Sequence, residues 1–177
     1  ASDWSSDVCS SDLNPDKSEY RLADDEIIAL IEQMFDEDDI GFVGHQNSNG
    51  ADWYECHCCR KENRIQGHAC GNAHILSYEH EPDCNAVKLY NMLQAEERDI
   101  KAIIALFEEM INAEEIALAA HQNWNGADWY ECPSCRKETK VMGHAFGTMH
   151  LTMGDHEDGC TAMKIYRALE LRADTDD

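Results

Sequence analysis

His45-Gln-Asn-Ser-Asn-Gly-Ala-Asp-Trp-Tyr-Glu-Cys56 returns 76 residues later as His121-Gln-Asn-Trp-Asn-Gly-Ala-Asp-Trp-Tyr-Glu-Cys132. Working outward from this pair, residues 27–93 align with 103–169 without a gap, and 34 of the 67 positions are identical. That identity marks a tandem duplication. The period is longer than those of the common solenoid repeats, so the chain reads as two linked modules and not as an open array. By composition shifts the modules span 19–97 and 98–173, flanked by a disordered tail at 1–18 and an acidic tail at 174–177.

The two copies sort the nine cysteines of the chain. Cys56, Cys59 and Cys84 have counterparts in Cys132, Cys135 and Cys160, whereas Cys58 is replaced by Ser134 and Cys70 by Phe146. A site common to both copies cannot depend on residues that one copy lacks, so Cys58 and Cys70 read as ordinary thiols, Cys70 as a small buried hydrophobe. Each retained set follows one spacing: C-x2-C, then His80-x3-Cys84 or His156-x3-Cys160. Two cysteines across a tight turn aim both sulfurs at one point, and a His and Cys four apart on a helix share a face. Three thiolates and one imidazole select Zn²⁺ over Mg²⁺ or Ca²⁺. The expected cofactor is therefore two structural Zn²⁺, one on Cys56, Cys59, His80 and Cys84 and one on Cys132, Cys135, His156 and Cys160. His68 and His74 recur as His144 and His150, and stand as alternative ligands or as partners of the ligands. A closed four-ligand set offers no position for water or substrate, and a module of this size needs such a staple.

Local patterns predict an α+β fold. Ile27, Leu30, Ile31, Met34 and Phe35 keep helical spacing after the acidic start Asp24-Asp25-Glu26, and the acidic run 36–39 ends that helix. Asn49-Gly50 signals a turn before a strand at 53–55, a second strand follows the knuckle at 62–66, and a third lies near 73–76. Each module is thus an N-terminal helix, a hairpin or three-stranded sheet with the C-x-x-C knuckle, and a C-terminal helix that carries H-x3-C and begins near Pro82. Between Cys84 and Glu115 there is no Gly or Pro. The join is read either as one continuous helix or as a break at 94–99.

Strand, knuckle, strand and a ligand-bearing helix resemble a treble-clef zinc finger or an expanded ββα finger, over about thirty residues per copy. The string His80-Glu-Pro-Asp-Cys84 is similar to a pattern in small zinc proteins of phages and mobile elements. That resemblance implies a binding protein, such as the acidic proteins that imitate nucleic acid to block a host enzyme. Residues 3–13, DWSSDVCSSDL, resemble translated sequencing-adapter sequence, so Cys9 is not taken as a ligand.

The formal net charge of −22 bears on partners. Such a field repels a phosphate backbone at long range and favours a protein partner with a basic surface. The competing expectation is nucleic-acid contact through Arg60, Lys61, Arg64, Arg136, Lys137 and Lys140, with Trp53, Trp124 and Trp129 as stacking platforms; otherwise those cations offset the thiolates and the tryptophans are core. Catalysis is not expected. The deaminase pattern H-x-E with P-C-x-x-C is absent, since His68-Ala69 leads to Cys70 and His144-Ala145 to Phe146. A treble-clef-type nuclease is the remaining enzymatic reading, on the recurrence of His45, Asn47 and Asn49 as His121, Asn123 and Asn125; the alternative is a hydrogen-bonded loop. No secretory leader and no apolar run of membrane length is read, and C-x-x-C pairs then point to a reducing, cytoplasmic setting.

Overall fold

The structure is a computed structural model that describes residues 20–46, 52–69, 71–122, 128–145 and 147–173. The two tails, Cys9, Cys70, the Asn49-Gly50 turn, Trp124 and the repeated asparagines lie outside the described residues. Copy one runs α1 (Asp24–Asp36), β1 (Phe42–Gln46), β2 (Asp52–Cys56), β3 (Glu62–Ile65), β4 (Asn72–Ala73) and α2 (Asn85–Gln94). Copy two repeats it as α3 (Ile100–Asn112), β5 (Leu118–Gln122), β6 (Asp128–Glu131), β7 (Glu138–Lys140), β8 (Thr148–Met149), a 3-10 turn at Leu151–Met153, and α4 (Thr161–Ala173). The fold is α+β.

Local chemistry explains the helix ends. In α1 the Glu26 carboxylate accepts from the Ala23 N–H at 2.7 Å, and three acidic residues fill the first turn, where the helix dipole favours them. The helix stops where Asp38 turns left-handed at φ 58°, and the Asp39 and Ile40 N–H groups close back onto the Met34 carbonyl. Glu114 repeats that turn after α3 at φ 56°. The join between copies is a break: Ala95 is extended, and Asp99 caps α3 by accepting from the Ala102 N–H at 3.1 Å.

Each sheet has four antiparallel strands, ordered β3-β2-β1-β4 and β7-β6-β5-β8, where a hairpin or three strands were expected. The additional strand is one of the two inner ones. β1 and β5 hold the start of the His-Gln-Asn segment, pairing His45 with Trp53 and His121 with Trp129. Sequence reading passed over these strands because Gly44, Ala119 and Ala120 have poor strand propensity; pairing on both sides overrides it.

The helices interlock across the duplication. α1 packs on α3 and α4, and α2 packs on α3, so one pseudo-twofold relation maps α1 onto α3 and α2 onto α4. Ile27, Ile31, Met34, Ile103, Phe107 and Met110 are fully buried within one continuous core. The helices present the apolar stripe that the sequence predicts, but each stripe is covered largely by the other copy. Removing the Phe107 ring takes out the one aromatic of α3, which is fully buried, so Phe107→Ala is expected to cost about 3–5 kcal/mol. Urea unfolding followed by probes in each copy should show both halves losing stability together.

The sheets meet at the same axis. His45 stacks on Trp53 at 5.4 Å between centroids, His121 on Trp129 at 5.6 Å, and the two imidazoles face each other at 6.4 Å and 19°. Burial lowers both histidine pKa values below the ordinary 6.5. Glu55 and Glu62 oppose that shift at His45, while His121 and Arg60 add to it; Glu131 and Glu138 oppose it at His121, where Arg136 adds. A base whose folded pKa is depressed contributes fully above its unfolded value and loses that contribution as pH falls from there through the folded pKa. The thermal midpoint should therefore fall less steeply below about pH 6.5 in the His45→Gln/His121→Gln double variant than in the parent chain.

Candidate metal centre

Each candidate centre is assembled from two half-sites. The first is the turn after β2, where the Cys56 N–H bonds the Lys61 carbonyl and the Arg60 N–H bonds the Cys56 carbonyl at 3.0 Å each. This turn requires a left-handed residue, and Arg60 (φ 60°) and Arg136 (φ 58°) adopt it in the two copies. The second half-site lies between β4 and α2. His80 is held there by its Nε2–H, which donates to the Ile75 carbonyl at 2.6 Å and leaves Nδ1 for the centre. The ring also packs against Phe42 at 4.6 Å. Asn63 fixes the preceding backbone, donating to the Glu79 carbonyl and accepting from the Glu79 N–H.

One expectation is corrected here. The H-x3-C pair does not ride on the C-terminal helix, and that helix does not begin near Pro82. α2 starts at Asn85, and Cys84 is its N-cap at φ −59°, ψ 118°, outside the helical region. A turn from Glu81 to Cys84 brings the two ligands together, with the Cys84 N–H on the Glu81 carbonyl at 3.1 Å. The i, i+4 face of a helix and this tight turn place two side chains at similar separation, so spacing alone does not distinguish them. Copy two repeats the arrangement, with Cys160 ahead of α4 and His156 Nε2 on the Leu151 carbonyl at 2.7 Å.

The donor atoms converge. Cys56, Cys59, His80 and Cys84 form one group and Cys132, Cys135, His156 and Cys160 another, all donor atoms in each lying within 4.8 Å of one another. Cys56 and Cys84 sulfurs are 3.7 Å apart, as are Cys132 and Cys160. The sulfur-to-Nδ1 separations are 3.8 Å for Cys59–His80, 3.7 Å for Cys135–His156 and 3.5 Å for Cys160–His156. A tetrahedron with metal–sulfur bonds of about 2.3 Å and metal–nitrogen bonds of about 2.0 Å has edges of roughly 3.5–3.8 Å. The spacing therefore fits a four-coordinate ion, and the two groups can each hold one.

Backbone dipoles and charge support the same reading. N–H groups of Cys59 and Val87 point at the Cys56 and Cys84 sulfurs, and those of Cys135 and Met163 at Cys132 and Cys160. The Glu81 and Glu157 N–H groups reach Cys59 and Cys135 at 3.4 Å each. Without a cation, the neighbouring sulfur and then burial push the Cys84 and Cys132 thiols up. Three thiolates this close repel one another, and a central divalent cation removes that conflict.

The other recurring histidines lie outside the two groups. His68 and His144 instead face buried aspartates that the sequence reading missed. Asp52 sits 3.2 Å from His68 and accepts from the Ala69 N–H, and Asp128 sits 3.1 Å from His144 and accepts from the Ala145 N–H. The signal was present in the recurring Ala-Asp-Trp of each copy. His74 accepts from the Leu76 N–H and meets Tyr90 edge-on; His150 does the same with Thr152 and Tyr166. The backbone carbonyls of Ile75 and Leu151 carry no sequence signal at all.

Four of the six cations near the knuckles are engaged by carboxylates: Arg60 with Glu55 at 3.2 Å, Lys61 with Glu81 at 3.0 Å, Arg136 with Glu131 at 3.6 Å and Lys137 with Glu157 at 2.7 Å. Arg64 and Lys140 lie opposite Trp53 and Trp129 in the sheets. No known protein family, curated protein or solved structure matches this chain.

The purified chain should carry two metal ions by elemental analysis. Chelation should lower the melting temperature and loosen both copies; a chelated sample with unchanged circular dichroism and melting temperature would contradict the site. Cys59→Ser should halve the metal content, while Cys58→Ser should retain two ions.

Proposed function

We propose that the protein is a non-enzymatic interaction protein, held together by two structural Zn²⁺ and binding a basic protein partner through its acidic exterior as an adaptor or inhibitor. The observation that carries the structural role is the closed donor set of each group. Three sulfurs and one imidazole complete a tetrahedron, so a bound ion has no vacant position for water or substrate. Zinc is the ion this soft donor set selects, and when bound it supplies cohesion between two half-sites.

The acidic exterior supports the choice of partner. With a formal charge of −22 and the knuckle cations largely paired with carboxylates, little positive potential is left for phosphates. Trp53 and Trp129 stack on histidines at the axis, which removes ring faces that would otherwise receive bases. The same stack occupies His45 and His121, the histidines on which a nuclease reading rests. Among the described residues no helix is long and apolar enough to cross a membrane.

The test pairs two assays on the zinc-loaded chain. A pull-down from the native host, run with and without chelator, should recover a basic protein whose reconstituted binding weakens as salt rises. Gel shifts with DNA and RNA should show no retardation; a salt-sensitive shift would overturn the protein-binding reading, and metal-dependent hydrolysis of the probe would overturn the non-enzymatic one.

A further inference from the structure

The contacts at the pseudo-twofold axis bear on the metal groups directly, because each group grips the other copy through residues that sit between or beside its ligands. In copy one the Cys58 thiol, inside the C-x-x-C turn, donates to the Glu115 carbonyl at 3.6 Å. Asn85, immediately after ligand Cys84, donates to both carboxylate oxygens of Glu115 at 3.0 and 3.2 Å. Both half-sites of the first group thus close on a single residue of copy two, in the turn between α3 and β5.

The reverse contact is made by the knuckle of copy two, whose Ser134 also ties it to α4. Ser134, in the place of Cys58, accepts from the Ala162 N–H of α4 at 3.4 Å and hydrogen-bonds Asp39. Arg136, immediately after ligand Cys135, donates to Asn72 Oδ1 at 3.0 Å and lies 4.0 Å from the Asp39 carboxylate. Asp39 is buried in the turn between α1 and β1, the counterpart of the turn that holds Glu115.

Resting on the zinc reading above, we infer that the two metal groups are thermodynamically coupled: loading one raises the affinity of the other through these reciprocal grips. A grip on Glu115 needs Cys58 and Asn85 held at fixed separation. They are 27 residues apart in the chain, and an ion held by Cys56, Cys59, His80 and Cys84 would join their two segments. Glu115 is three residues ahead of β5, β5 pairs with β6, and β6 ends at Glu131, next to ligand Cys132. Ordering the first group therefore orders the strand pair that presents the second, and the duplicated path runs back through Asp39, β1 and β2 to Cys56. Coupling of this kind is reciprocal by linkage, and values of about 5–150-fold are typical.

Native mass spectrometry of the metal-free full chain, titrated with Zn²⁺, counts the zero-, one- and two-metal species. Equal independent sites give about half of the molecules with one metal at half-saturation, whereas coupling of about tenfold leaves about a quarter. The expected result is a one-metal share at or below a quarter. In the Asn85→Ala/Ser134→Ala variant, which retains all eight ligands, that share should rise toward half while two ions still bind at saturation. Cobalt titration, read by the thiolate-to-metal absorption, provides the same comparison in solution. A wild-type one-metal share of half or more, or a share unchanged by the variant, overturns the coupling and leaves the zinc reading standing. Failure to bind any metal overturns both.

Discussion

Four donor atoms from two distant stretches of chain must meet at one point in each copy, and few apolar contacts in those stretches bring them there. Between the knuckle and the second half-site of copy one lie the short β3 and β4 and an irregular segment in which, among the described residues, only Ile75 is fully buried. A segment so poor in core cannot offset its own ordering entropy by burial. Donor convergence at tetrahedral spacing supplies the missing constraint. The supports around it all serve that purpose: the Ile75 carbonyl and Phe42 on His80, Asn63 on the loop, and backbone N–H groups on the sulfurs.

The apolar part of the fold follows a different logic. α1 and α3 carry the strongest hydrophobic stripes, and each covers the other across the axis, so burial holds the copies together while the donor groups organise each sheet. The histidine and tryptophan stack closes the seam on the sheet side. The two systems join at the turns containing Asp39 and Glu115, where knuckle residues contact the opposite copy. A duplicated chain can develop such reciprocal contacts because a fused partner is always present at high effective concentration.

The zinc-type groups are closed, the aromatic rings are engaged at the axis, and the knuckle cations are balanced locally. Among the described residues, exposed carboxylates outnumber exposed cations, and they include the first turn of α1. The donor set is the same in both copies while residues between the donors differ, Cys58 against Ser134 and His57 against Pro133.

The duplication, the eight residues of the two donor groups and the existence of the helices were readable in the residues alone. Repeat identity and ligand spacing are sequence properties, and a helix stripe is a local period. The break at Asp99 was one of two readings because capping is a single-residue effect set against a long apolar beat. Spacing placed His80 and Cys84 on a helix, but a turn and a helix can bring side chains four apart to one point, and only backbone angles separate them. β1 and β5 stayed hidden because a central strand is specified by its two neighbours and not by Gly44 or Ala120. The interlocked helices, the stacked rings and the cross-copy grips belong to the tertiary structure alone: they join residues tens of positions apart, and no local pattern encodes which partner a buried face will meet.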